Sequence, residues 1–165
     1  MLALSAAEGC PPDHSMALKL IGELSARIRA HAAGAYPQEC CGALLGRDGD
    51  SAREILELLP LPNQHGASPR NRFTIRPEDF RRAEATARER GLDLVGWYHS
   101  HPDHPALPSE FDRQHAWPWY SYVIVAVEKG ASAALASWRL SDDRMRFTPE
   151  LVENGAKAAV PSWEL

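Results

Sequence analysis

The sequence predicts one α/β domain, a mixed β-sheet of six or more strands flanked by two main helices. Three observations carry this. Short apolar runs of strand length recur at Cys40–Leu45, Leu92–Tyr98 and Tyr120–Val127. Two stretches with helical spacing interrupt them, near the amino terminus and at Glu78–Arg90. Finally, 165 residues with 44% hydrophobic content suit a single core, and no Ser/Gly-rich or charge-run linker divides the chain.

Residues 1–15 hold Gly9, Pro11 and Pro12 with little pattern and are expected to be a flexible extension, so the folded unit is expected to span 16–153, with 154–165 as a tail. A short strand at Ala17–Leu20 leads into a helix from Gly22 to Ala33, whose apolar Ile21, Leu24 and Ile28 recur at spacings of three and four. Gly34 and Pro37 are expected to end it. Cys40–Leu45 has no polar break and suits a strand buried on both faces. Asp48-Gly49-Asp50 supplies a turn, and Arg53–Leu59 pairs back. Pro60–Asn71 is a loop long enough to be functional, and Arg72–Ile75 is expected to be a short strand. Pro77 sits at the first turn of a charged helix closed by Gly91. The strand Leu92–Tyr98 runs into His99; a proline-rich loop follows, and Ser109 is an N-cap for a short helix through His115. Strands Tyr120–Val127 and Ala133–Leu140 meet at Lys129-Gly130, and a last hairpin turns at Asp142-Asp143 into Met145–Phe147.

The net charge of −4 gives no basic footprint for nucleic acid or an anionic membrane. No apolar run is long enough to span a bilayer. Residues 1–13 lack the basic and apolar regions of a secretory signal, so a cytoplasmic location is the default expectation. Three cysteines, Cys10, Cys40 and Cys41, two of them adjacent, argue against a disulfide framework. There is no CxxC pair for a zinc knuckle.

The chemistry concentrates in Gly96-Trp97-Tyr98-His99-Ser100-His101-Pro102 and Ser109-Glu110-Phe111-Asp112. On an extended segment His99 and His101 project to one side, so two imidazoles can meet at one point. Two imidazoles and a carboxylate form a ligand set for zinc that leaves a fourth position open. Asp112 lies three residues after Ser109, so both can face the same side of the helix. Pro102, Pro105 and Pro108 lower the entropy of folding the intervening loop back. Singly, each residue has a plainer role: a hydrogen-bonded surface histidine, an N-cap serine, a first-turn carboxylate favoured by the helix dipole.

In joint order, His-x-His, seven residues, Ser, two residues, Asp resembles the JAMM motif of the MPN+ metallopeptidases, and His99, His101, Ser109 and Asp112 match it without a gap. Pro37 to Gly46, with Glu39 at its head, resembles that family's upstream glutamate segment, and the resemblance runs from about Met16 to Leu140. It implies an MPN architecture, similar in its layers to cytidine deaminases. It also implies that His99, His101 and Asp112 bind Zn2+ with a water as the fourth ligand. Glu39 would be the general base on that water, and Ser109 would donate to the oxyanion. The resemblance further implies cleavage of the peptide or isopeptide bond after the Gly-Gly tail of a ubiquitin-like or sulfur-carrier protein, the tail adding alongside a sheet edge near the zinc. Oligomeric state is left open. Zinc over iron or manganese rests on ligand type and this likeness.

Other assignments stay open. A non-catalytic MPN scaffold and a hydrolase of small amides or cell-wall peptides are the rivals. A zinc deaminase is disfavoured because HxE and PCxxC are absent. His104 and His115 are expected to be surface or supporting residues, and Cys40 and Cys41 apolar fillers. Trp117 and Trp119 suit either an aromatic wall or the core, and Asn63 and Arg72 either order the site or hold substrate.

Overall fold

Alternation along β4, Asp93–Pro102, organises the molecule. Every residue after the first is buried, with Trp97, His99 and His101 toward one face and Tyr98 and Ser100 toward the other. The computed structural model describes residues 17–154. The expected extension, residues 1–15, and residues 155–165 of the expected tail lie outside the described residues.

The strands are β1 (Ala17–Lys19), β2 (Cys41–Asp48), β3 (Ala52–Leu61), β4, β5 (Ser121–Glu128), β6 (Ala131–Leu140), β7 (Phe147–Glu150) and β8 (Val152–Glu153). They form one mixed sheet in the order β7-β6-β5-β4-β2-β3-β1-β8. β4 pairs antiparallel with β2, Cys41 opposite His99, and parallel with β5, His99 opposite Ile124. The helix α1 (Gly22–Ala35) packs Leu24, Ile28 and Ala32 onto Leu44, Tyr98, Val123 and Val125 on one face. On the other face α2 (Pro77–Glu89) presents Ala83 and Ala87 to Ala43, Leu45, Trp97 and Tyr122. A short α3 (Glu110–His115) follows the site loop on that same side.

Four expectations are corrected. Arg72–Ile75 is an extended connection and not a strand, because the Asn63 side chain takes over its hydrogen bonding. The amide of Asn63 donates to the Arg72 carbonyl at 2.9 Å and its oxygen accepts from Thr74 N–H at 3.3 Å. Gly34 lies inside α1 rather than ending it; the helix stops at Tyr36, which is extended (ψ 135°) as residues before proline prefer. β4 does not stop at Tyr98: its parallel pairing continues to Pro102 opposite Val127, so both histidines lie on the strand. Arg146 and the residues before it make a turn, closed by Ser141 N–H to the Arg146 carbonyl and Arg144 N–H to the Ser141 carbonyl; the strand begins at Phe147.

Candidate metal centre

Because His99 and His101 are two apart on β4, their rings come to the same side, with ring centres 4.9 Å apart. The third group arrives from α3. Ser109 caps that helix: its hydroxyl oxygen accepts from Asp112 N–H at 3.1 Å, while the Asp112 carboxylate accepts from Ser109 N–H at 2.7 Å. This reciprocal capping box holds the Asp112 side chain, so the residue is a capping partner as well as a candidate ligand.

The three polar ends converge. His99 Nε2 lies 3.1 Å from His101 Nε2, and the two nitrogens lie 3.3 Å from the Asp112 Oδ1 and Oδ2 respectively. A tetrahedral zinc with bonds of about 2.0–2.2 Å places its ligand atoms roughly 3.3–3.5 Å apart. One ligand atom from each residue lies within 4.8 Å of the others, close enough for all three to share one ion, and all three residues are buried. The donor set, two imidazoles and a carboxylate, also suits zinc. His101 Nδ1 lies 2.9 Å from the Pro105 carbonyl; donating there leaves Nε2 as the free lone pair. The prolines of the loop thus contribute a specific acceptor in addition to stiffness. His99 Nδ1, by contrast, is buried with no hydrogen-bond partner among the described residues, and the ring is held by stacking on Phe73 at 4.5 Å.

Burial alone would raise the Asp112 carboxyl, but His99, His101 and the Ser109 N–H together hold it well below the usual carboxylate range. Burial also pulls His101 down, and Asp112, the Pro105 carbonyl and Glu39 outweigh it, so His101 is raised. For the fully buried His99 desolvation wins and the imidazole is kept neutral, the form that ligates.

Glu39 precedes β2 and is buried. Since Cys41 is opposite His99 in an antiparallel pair, Glu39 falls at the level of His101. Its backbone is fixed on both sides: N–H donates to the Pro69 carbonyl at 2.8 Å and the carbonyl accepts from the Asn63 amide at 3.1 Å. Ser100 adds a further tie, accepting from Cys40 N–H at 2.8 Å. Burial pushes the Glu39 carboxyl up to about 8, with His101 pulling it down and Asp112 raising it. A carboxyl titrating near neutrality can both take and return a proton.

Sequence reasoning placed Glu39, His99, His101, Ser109 and Asp112 in one region, and the fold brings the two histidines and Asp112 together, with Ser109 and Glu39 beside them. His104 and His115 stay outside the cluster and exposed. Cys40 and Cys41 are buried, their thiols pushed up by burial to about 11 and 12, which suits apolar filler and not nucleophiles. Trp117 is 63% exposed and lines a cavity beside the cluster; Trp119 instead lies over the Arg53 guanidinium at 4.4 Å. Arg72 stacks its guanidinium on Phe111, 5.1 Å away, which ties the long loop to α3. The Pro105 carbonyl, Ser100 and Phe73 were missed: a backbone acceptor and a stacked ring leave no spacing signal.

A sheet with two histidines on a central strand and a capped aspartate folded over them defines a metal-dependent hydrolase of the MPN class. The chain belongs to the prokaryotic homologs of the JAB domain, whose family model matches residues 23–141. It is 38% identical over 111 residues to a desampylase of Haloferax volcanii, covering 67% of this chain and 78% of the relative. It is 36% identical over 121 residues to a probable TtuB-protein conjugate cleaving protease of Thermus thermophilus, covering 73% and 78%. Among solved structures, a protein of Salinibacter ruber superposes with a TM-score of 0.67 at 39% identity over 87% of this chain and 94% of that one. A protein of Desulfitobacterium hafniense does so with a TM-score of 0.72 at 30% identity, over 82% and 91%.

Proposed function

We propose that the protein is a zinc-dependent peptidase or isopeptidase that hydrolyses the bond after the Gly-Gly tail of a ubiquitin-like or sulfur-carrier protein. The observation that carries this is the convergence of His99, His101 and Asp112 in one buried cluster with the buried Glu39 alongside. His99, His101 and Asp112 would hold the zinc, which would supply Lewis-acid polarisation of the scissile carbonyl and a water of lowered pKa. Glu39 takes a proton from the attacking water as its oxygen bonds to the carbonyl carbon. It then delivers that proton to the amine nitrogen as the carbon–nitrogen bond breaks. The Ser109 oxygen already accepts from Asp112 N–H, which leaves its O–H free to donate to the oxyanion.

The substrate class rests on the relatives, one a desampylase and one a probable TtuB-conjugate protease. The β2–β4 pairing ends at Cys41 opposite His99, so beside His101 and Pro102 β4 has no β2 partner to exclude an extended tail. No described helix is long and apolar enough to cross a membrane.

The test is mass spectrometry of a Gly-Gly-ended carrier with a short carboxy-terminal extension, incubated with zinc-loaded protein. Removal of the extension by the wild type, at least a hundredfold faster than by Glu39→Gln or a chelated sample, is the expected outcome. Equal cleavage by Glu39→Gln would remove the glutamate from the chemistry. No cleavage of any carrier by zinc-loaded wild type would remove the carrier from the function.

A further inference from the structure

A cavity of about 210 Å3 opens beside His99 and Asp112, and Glu39 is not among its lining residues. Its walls are chiefly aromatic, among them Phe73, Phe80, Trp97, Phe111, Trp117 and Tyr122. An apolar cavity of about 150 Å3 is enough to hold benzene, so this one has room for a Leu, Met or Phe side chain. A Gly-Gly tail has no side chain to put there. The cavity therefore needs an occupant that the tail itself does not supply.

Its position says which residue that is. The leaving amine must lie within reach of the acid that protonates it, and Glu39 stands at the level of His101. The cavity is lined by His99 and by Trp97, the next residue on the same face of β4, and by neither Glu39 nor His101, a placement that suits the acyl part of the substrate better than the leaving amine. Trp97 is two residues from His99, about 6.6 Å along a strand. The residue just before Gly-Gly is likewise two residues, about 6.6 Å, back from the glycine whose carbonyl is attacked. Side chains two apart share a side of an extended chain, so this one faces the sheet when the reacting glycine does.

On the strength of the metallopeptidase assignment above, we propose that this aromatic cavity is a subsite for an apolar side chain on the residue immediately preceding the Gly-Gly pair, and that it selects carriers bearing one. A discriminating apolar pocket changes kcat/KM by roughly 10–200-fold per fitted group. Phe80 and Trp97, stacked at 5.4 Å, form its rigid floor, and Trp117 forms the exposed rim.

The experiment uses zinc-loaded full chain and carriers ending X-Gly-Gly-Y plus a short extension, varying X (Leu, Phe, Ala, Ser, Asp) and Y independently. Leu or Phe at X raising kcat/KM about tenfold or more over Ser, with changes at Y within about twofold, is the expected result. Trp117→Ala, at an exposed rim position where the fold is retained by circular dichroism, should shrink the Leu-to-Ser ratio several-fold. Equal rates for every X, or a preference that follows Y, would overturn the subsite while leaving the peptidase assignment standing. If no carrier is cut, that assignment falls separately. The subsite is then decided by calorimetric titration with hexapeptides ending Leu-Gly-Gly or Ser-Gly-Gly: tighter Leu binding supports it, and equal binding overturns it.

Discussion

At the scale of single residues, Ser109 is where two roles meet in one side chain. Its oxygen caps α3 by accepting from Asp112 N–H, and its O–H remains free for the oxyanion contact proposed above. Removing a cap costs about 1 kcal/mol, which lowers Tm by roughly 2–4 °C in a domain of this size. Removing an oxyanion donor costs about 10²–10³ in kcat. Ser109→Ala is therefore expected to lose a few degrees in Tm and at least a hundredfold in kcat, and Ser109→Thr to recover most of both. Calorimetry beside single-turnover kinetics separates them: a fall in Tm with kcat intact would leave Ser109 as a cap only.

At the scale of elements, the same residue type has opposite consequences depending on what it faces. Gly96 pairs with Ser121 across β4 and β5, and a Cβ there would stand 2.3 Å from the Ser121 carbonyl oxygen. Backbone cannot yield as a side-chain tip can, so Gly96→Ala should cost about 2 kcal/mol or more. It should also loosen the strand that carries both histidines. Gly34 is exposed within α1, with nothing within 4 Å of an added Cβ. Gly34→Ala should stabilise by about 0.5–1 kcal/mol, since alanine loses less entropy in a helix. Urea melts of the two variants check both signs. Helix α2 and the buried strands were legible because Pro77, Gly91 and unbroken apolar runs are local signals. The motif residues were legible because a strand and a capped helix turn fixed spacing translates directly into geometry. What stayed hidden depended on distant partners. The segment 72–75 resembles a strand in composition, yet Asn63 holds it from nine and eleven residues away. The tiny β8 exists through parallel pairing of Leu18 with Val152, which no local pattern encodes.

At the scale of the whole molecule, β4 links two buried polar groupings, one near each end. Near its start, Arg53 is fully buried and donates to the Val95 and Trp119 carbonyls, at 3.0 and 2.7 Å, and to the Ser121 hydroxyl at 3.0 Å. The hydroxyls of Ser121 and Ser137 in turn donate to Glu150, at 3.1 and 2.7 Å, joining β5, β6 and β7. Burial raises the Glu150 carboxyl despite those hydrogen bonds and Arg139 and Arg53. A raised folded pKa means that its contribution to stability is full below about 4.3, the unfolded value, and is lost as pH rises through the folded one. In chelated protein, the stability of wild type relative to Glu150→Gln should therefore fall as pH rises above about 4, read as urea midpoints; a constant difference would mean that burial does not perturb this group. Near the other end, the cluster joins β4 to α3, whose contribution in sequence is a single short turn of helix. A metal that binds only this folded arrangement stabilises by RT ln(1 + [L]/Kd), about 4 kcal/mol at a thousandfold excess over Kd. That corresponds to roughly 8–16 °C in Tm. Adding zinc to chelated wild type should produce a shift of that order, Glu39→Gln should keep it because Glu39 lies outside the His99–His101–Asp112 cluster, and His101→Ala should lose most of it. A thermal midpoint in wild type indifferent to zinc would show that the three side chains meet by packing and the capping box alone, without a metal between them.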